Sequence, residues 1–431
     1  MRLRLASAWG AAAIALAVPR VHAQNPVRLP AADRVLTGNP APVFAIGREE
    51  GEDWEILANV TQVAFDRADN VYVLDAGSSR ILVFDRDGRY LHRIGQKGGG
   101  PGEYQNPVGI AILPDGNLAV QDNLNYHMFR TDGTYIRTVT PAPTGEAGGS
   151  GQRVRIGGIG ASGAVGNAML VRGMAPLPGL NRAATGLPTA PQNAATVKLP
   201  IHLDRIGEHV TRTTIYEIEQ TAPEVTSRQA GPGGRGGIVM TRRRQRMFEP
   251  AVNIAALPTA AVISHESNYR IHVVHADGSN ARIIERPFAP RRVTRRDQDR
   301  AREYQREQLR NMSMPSVSMS TPGGGTFSTG GNRLSDDQIE QQLREMEFAE
   351  EIAIIRRMLG DPQNRIWIER TGPDPFEPGP IDLIDAAGRY IGTIRDLTMP
   401  VAVSASGLAA WIVKDEMDVQ RVEVRQLPAW R

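Results

Sequence analysis

Six residues of four chemistries stand at one repeated place in this chain: Asp75, Asp122, Arg172, His265, Arg370 and Lys414. Each closes a short apolar, β-branched run that reads as the second strand of a repeated unit. Two carboxylates on one side and four nitrogen bases on the other suit a zwitterionic or partly anionic ligand, with arginines as the anion clamp. Six carboxylates would have suited a cation instead. Arg80 and His127 follow the turns after Asp75 and Asp122, at positions the spacing of 47 makes equivalent. Lys97 lies in the segment joining the first unit to the second. These nine residues are the candidate ligand contacts. The plain alternative is local: Asp75 and Asp122 hold turn amides, or pair with Arg80 and its equivalents.

Other chemistry is limited by what the chain contains. It has no cysteine, which excludes disulfides, thiolate zinc sites, iron–sulfur clusters, cysteine nucleophiles and a lipidated N-terminal cysteine. No Walker A sequence, G-x-G-x-x-G dinucleotide fingerprint in a βαβ context, H-E-x-x-H helix or G-x-S-x-G elbow occurs. Gly98-Gly-Gly-Pro-Gly102 lies between two strand patterns, without the Lys-Ser/Thr or the following helix that a phosphate cradle needs, so it reads as a turn. His272 and His275 are three apart in one strand pattern, which sends them to opposite faces. His202 and His209 flank a turn. No histidine pair has metal-ligand spacing, so no metal ligand is expected. No catalytic residue and no cofactor is assigned.

The elements that position these residues are repeats. Val63 to Asp75 followed by Arg80 to Gly95 matches Ile110 to Asp122 followed by His127 to Val139. Asn70 aligns with Asn117 and Asp75 with Asp122 at an offset of 47; Phe84 aligns with Phe129 and Asp87-Gly88 with Asp132-Gly133 at 45. Short strands separated by Asp-Gly or Asp-Asn turns are hairpin chemistry. Four strands about every 45 residues is the period of a propeller blade. Weaker copies run through Ala168–Val171 and Ile201–Asp204, through Ala260–Gly278, through Asn364–Gly392, and through Leu408–Leu427. The last copy lacks a strand, and Val43–Ile46 at the other end supplies one. The expectation is an all-β, six-bladed β-propeller closed by an N-terminal strand. Gly (44) and Pro (30) are plentiful, as many turns require.

The string Ile94-Gly-Gln-Lys-Gly-Gly-Gly-Pro-Gly-Glu-Tyr-Gln-Asn-Pro107, followed by Val-Gly-Ile-Ala, resembles the blade junction of NHL-repeat-like six-bladed β-propellers. More narrowly, the chain resembles a group of secreted bacterial six-bladed propellers. The likeness covers roughly residues 40–428 and is strongest over 60–140. It implies the fold and export, and carries no activity. Some NHL-like propellers are metal-dependent lyases, which makes a metal-assisted lyase or hydrolase at the mouth of the central channel the alternative to a binding module.

At the N-terminus, Arg2 and Arg4 precede an apolar run to Val18, and Val21-His22-Ala23 offers a small-residue cleavage site. This is the layout of a secretory signal peptide over residues 1–23, too short to span a bilayer comfortably. Residues 24–42 read as a linker and 43–428 as the propeller. Cleavage removes Arg2, Arg4 and Arg20 and leaves 47 cations against 47 anions, so general nucleic-acid binding loses its support. No transmembrane span is expected in the mature chain, which would be periplasmic or secreted. Residues 141–166 and 173–196 read as long loops. An insertion over about 291–347 combines an arginine-rich helix, with Asp299–Arg302 and Glu303–Arg306 pairs, and a Gly/Ser-rich stretch from Ser313 to Gly331. A second helix follows, opened by a capping box at Ser335–Gln338. Arg242, Arg243, Arg244 and Arg246 form a basic run that suits an anionic surface or glycan. The function expected is binding of a protein, peptide or saccharide.

Overall fold

The computed structural model of the chain describes residues 25–123, 125–141, 161–178, 189–190, 194–222, 224–227, 239–242, 246–277, 282–311, 317–320, 326–329 and 334–430. The segment 1–23, expected to be a signal peptide, lies outside them, as do Arg243 and Arg244.

Six antiparallel sheets form six blades, each built outward from an inner strand. Blade 1 is Val60–Phe65, Val71–Asp75, Arg80–Phe84 and Tyr90–Ile94. Blade 2 is Pro107–Ile112, Asn117–Asp122, Asn125–Arg130 and Tyr135–Val139. Blade 3 is Ala161–Val165, Ala168–Arg172, Thr196–Ile206 and Val210–Thr221. Blade 4 is Asn253–Ala256, Ala260–Ser264, Arg270–His275 and Arg282–Glu285. Blade 5 is Ile355–Gly360, Arg365–Arg370, Ile381–Asp385 and Tyr390–Ile394. Blade 6 is Ala402–Val403, Leu408–Lys414 and Gln420–Gln426, completed by Ala41–Ile46 from the other end of the chain. Ala41 faces Gln426 and Ile46 faces Val422, so the N-terminal strand closes the ring.

The core lies between the blades. Second and third strands such as Val71–Asp75 and Arg80–Phe84 are buried along their whole length, because each sheet is covered on both faces by its neighbours. That is why they read as continuous apolar runs. Leu74, Ile81 and Val83 of blade 1 meet Ile110, Leu118 and Phe129 of blade 2, and a comparable cluster fills each of the other five interfaces. Gly95 shows the closeness of a junction: it has φ +74°, and a Cβ there would fall 2.1 Å from the Tyr104 ring.

Residues 25–42 do more than connect. Val27–Arg28 adds a parallel strand to the outer edge of blade 4. The chain then crosses to blade 5, where Val35 bridges Thr393 and Leu36 packs on the Trp367 side of the blade 5–6 interface. Two outer edges are thereby covered before the same chain becomes the outer strand of blade 6.

The insertion leaves and rejoins the ring at a two-residue ladder between Arg291–Arg292 and Glu351–Ile352. Helix α1 (Arg295–Asn311) begins where Arg291 grips Asp297 with two hydrogen bonds of 2.7 Å. Asp299 pairs with Arg302 as expected. The Glu303–Arg306 pair does not form; Glu303 meets Arg300 and Arg306 reaches Glu340 of helix α2 (Asp336–Arg344). The capping box at Ser335 and Gln338 is made, and Leu309, Ile339 and Leu343 form a small apolar contact between the helices. Within 313–331, residues 317–320 and 326–329 pair as a hairpin. Among the described residues no helix is long and apolar enough to cross a membrane.

Candidate functional site

The two faces of the ring are built differently. One carries the turns between first and second and between third and fourth strands, and these are short. Asp66, Asp85, Asp115, Asp132, Asp361 and Asp385 each accept backbone N–H groups of their own turn, at 2.7 to 3.0 Å. Turn geometry accounts for these carboxylates. The other face carries the turns between second and third strands and the junctions between blades. The insertion stands on this face. Arg300 of α1 pairs with Asp374 at 3.2 Å and Tyr304 stacks on Phe376 at 4.5 Å, both in the turn after Arg370. The junction before blade 4 reaches the insertion through hydrogen bonds between Met247 and Glu347 and between Ala349 and Met247. Arg246 is exposed there, with its Nε 3.8 Å from Glu347. Arg242 closes a short two-stranded ladder with 224–227.

All six repeated positions fall at the ends of second strands on this face. Asp75 is fully buried, accepts from the Asn59 amide at 2.8 Å and pairs with Arg80 at 3.1 Å; Arg80 also reaches Asp53. Asp122 accepts from the amides of Gln105 and Asn106 at 3.0 and 2.6 Å. Burial would raise its pKa, but His127 and those amides hold it below the usual carboxylate range. Lys414 pairs with Asp418 at 2.7 Å, whereas Lys97 and Arg172 are exposed.

The equivalence of Arg80 with His127 needs correction. Arg80 faces Asp75, but Asn125 faces Asp122, because the turn of blade 2 is two residues shorter. His127 lies two residues further along the same strand face, and its Nε2 is 3.5 Å from Asp122.

Arg370 is drawn into a buried network that the strand pattern did not signal. Asp33, from the N-terminal segment, pairs with Arg370 at 2.9 Å, Arg286 at 2.8 Å and Arg395 at 3.1 Å. Burial would raise the pKa of Asp33; hydrogen bonds from Arg370 and Arg395, with the charge of Arg286, bring it below its usual value. Arg286 also bonds Asp382 at 2.7 Å and the carbonyls of Pro30 and Ala32, with its guanidinium over Phe288 and Tyr390.

Between blades 3 and 4 the turn after Ser264 gathers three further side chains. His265 and His272 stack with centroids 5.5 Å apart, and Tyr216 on the outer strand of blade 3 lies against both. Tyr216 Oη is 3.3 Å from His265 Nε2. Glu266 Oε1 is 3.5 Å from His272 Nε2. Burial lowers the pKa of both histidines. His272 and His275 lie on opposite faces of one strand, whereas His265 and Glu266 reach His272 from across the hairpin; their place in the turn just before its strand is the sequence signal for the cluster.

A neighbouring histidine gives a pH test. Burial and the Arg212 guanidinium push His202 down to about 4, against the opposing charges of Asp204 and Glu217. Above pH 6.5 the ring is neutral in both folded and unfolded chain. As the pH falls the unfolded chain takes up the proton first, so stability is lost from about 6.5 through about 4, by roughly 3 kcal/mol in all. His202→Gln is expected to flatten this acid limb in denaturant midpoints measured against pH. An unchanged limb would refute the assignment.

The central cavity, about 360 Å³, is lined by Thr61, Gln62, Val108, Ser162, Ile254, Ala255, Met358, Leu359, Gly360 and Val401. No ionisable side chain is among them.

A family of 6-bladed beta-propellers matches residues 50–139. A comparison with curated proteins finds no match. Among solved structures, the chain is similar to a candidate exported protein from Bacteroides fragilis, at 10% identity and TM-score 0.43, covering 94% of this chain and 100% of that one. A member of the duf4221 family from Bacteroides vulgatus shows 10% identity and TM-score 0.43, covering 90% of this chain and 98% of that one. Virginiamycin B lyase from Staphylococcus aureus shows 9% identity and TM-score 0.32, covering 86% and 95%. At these values the likenesses carry no inference about activity.

Proposed function

We propose that this six-bladed propeller is an exported, NHL-like binding module for a protein, peptide or saccharide, and that its ligand face is the one carrying the blade junctions. The leader 1–23 would direct export, and the mature chain would act in the periplasm or outside the cell through its propeller, 43–428. The observation that carries the reading is the asymmetry of the faces. One face spends its carboxylates on its own tight turns. The other bears the long insertion and two exposed cations, Lys97 and Arg172, while the aspartates at its strand ends, Asp75 and Asp122, are buried beside Arg80 and His127. Specificity is commonly placed on loops held by a rigid scaffold. The uncharged lining of the central cavity favours binding over acid–base or metal-assisted turnover at the channel.

The test compares immobilised mature protein with variants on a glycan array and in envelope extract. Lys97→Glu and Arg172→Glu are expected to abolish retention of the ligand that the parent captures. Asp132→Asn, on the turn face, is expected to retain it. Arg370 is unsuitable because its loss would disturb the buried Asp33 network. Equal retention by all variants would overturn the assignment of the face.

A further inference from the structure

We infer that His265, Glu266 and His272 form a binding site for one divalent transition-metal ion of the zinc class. Their donor atoms already lie within 4.8 Å of one another. Zinc bound at 2.0–2.2 Å needs tetrahedral donors roughly 3.4 Å apart, so the required closure is about 1 Å. The backbone permits it, because His265 and Glu266 lie in the turn between the second and third strands of blade 4 while His272 is fixed in the third strand.

The surroundings are those of a ligand set. His272 is 8% exposed, yet its Nε2 makes no hydrogen bond, with Glu266 Oε1 3.5 Å away. A buried ring nitrogen without a partner is costly, and an ion between the two groups would satisfy it. Arg270 holds the other carboxylate oxygen, Oε2, at 3.4 Å, which leaves Oε1 turned toward the histidine. Tyr216 Oη touches His265 and can orient its ring, as outer partners of metal-bound imidazoles do. Two imidazoles and one carboxylate select zinc-like ions over calcium or magnesium, which prefer oxygen donors. Three protein ligands leave a fourth position open, and Glu266 and His265 are half-buried, so an ion has a route in. Packing of two histidines and a tyrosine explains the ring contacts; it does not explain a carboxylate aimed at an unpaired nitrogen.

The experiment uses chelator-stripped full-length protein titrated with Zn²⁺ by calorimetry, with Co²⁺ as a spectroscopic probe. One ion per chain is expected. His265→Gln and Glu266→Gln, both at half-buried positions that tolerate the change, should each weaken binding by at least about tenfold and remove the visible Co²⁺ absorption. His272→Ala should do the same, with circular dichroism showing whether it still folds. His209→Ala, at an exposed turn outside the cluster, should leave affinity and stoichiometry unchanged. Absence of Zn²⁺ binding by the parent would overturn the inference. So would affinity unaltered in His265→Gln and Glu266→Gln. Neither result bears on the ligand-face reading, which is tested at Lys97 and Arg172.

Discussion

Deletion of residues 25–47 is expected to turn a cooperatively melting ring into an aggregating product. Three losses coincide. The outer strand of blade 6 disappears, leaving Gln420–Gln426 as an exposed edge able to pair with other chains. Leu29 and Leu36, 4% and 7% exposed, leave the apolar interfaces of blades 4–5 and 5–6. Asp33 goes as well, and Arg286 and Arg370 lose a shared carboxylate within a buried network. Removing one large buried aliphatic side chain alone costs about 2–5 kcal/mol. The combined loss therefore approaches the whole stability of an ordinary domain, about 5–15 kcal/mol. Size-exclusion chromatography and a thermal melt decide it. A truncated chain that elutes and melts like the parent would show that the ring does not depend on this closure.

Arg286→Ala is expected to be the most damaging single substitution of a charged residue, at about 3–5 kcal/mol. The side chain of Arg286 has no exposed surface, and that of Asp382 has none. Removing the cation leaves buried Asp382 with Arg370 at 3.2 Å and the Thr393 hydroxyl and weakens the hold on Asp33, while the carbonyls of Pro30 and Ala32 lose their donor. Arg389→Ala is the control. It breaks an ion pair of similar length, 3.0 Å to Asp385, but the Arg389 side chain is 81% exposed. Such a pair is worth about 0–1 kcal/mol. Denaturant midpoints at unchanged slope measure both. Equal effects of the two would mean that the Arg286 network contributes nothing beyond a surface pair.

Much of the ring is legible in the sequence. Asp87-Gly88 and Asp132-Gly133 mark tight turns because only a few residue types adopt the required backbone, so the units could be counted from spacing. Val43–Ile46 could be matched to a missing strand because a propeller blade has a fixed strand number. The capping box at Ser335 was readable for the same reason: it concerns four successive residues. The placement of six strand ends on one face followed from the repeat alone.

What the repeat could not disclose was which side chains meet across it. Asp33 and Arg370 are 337 residues apart, and no local preference favours their pairing. It arises because the N-terminal segment passes along the outer edges of blades 4 and 5. The offset that made His127 the counterpart of Arg80 failed because a turn shortened by two residues shifts the facing pair to Asn125. His265 lies in the turn and His272, seven residues on, in the third strand, so periodicity along a single strand cannot bring them together. Tyr216 comes from the adjacent blade. The number and order of the blades can be read from the residues, since turns and strand patterns are local. The buried ion network and the histidine cluster come into being with the folded ring, since both depend on distances between side chains that its closure imposes.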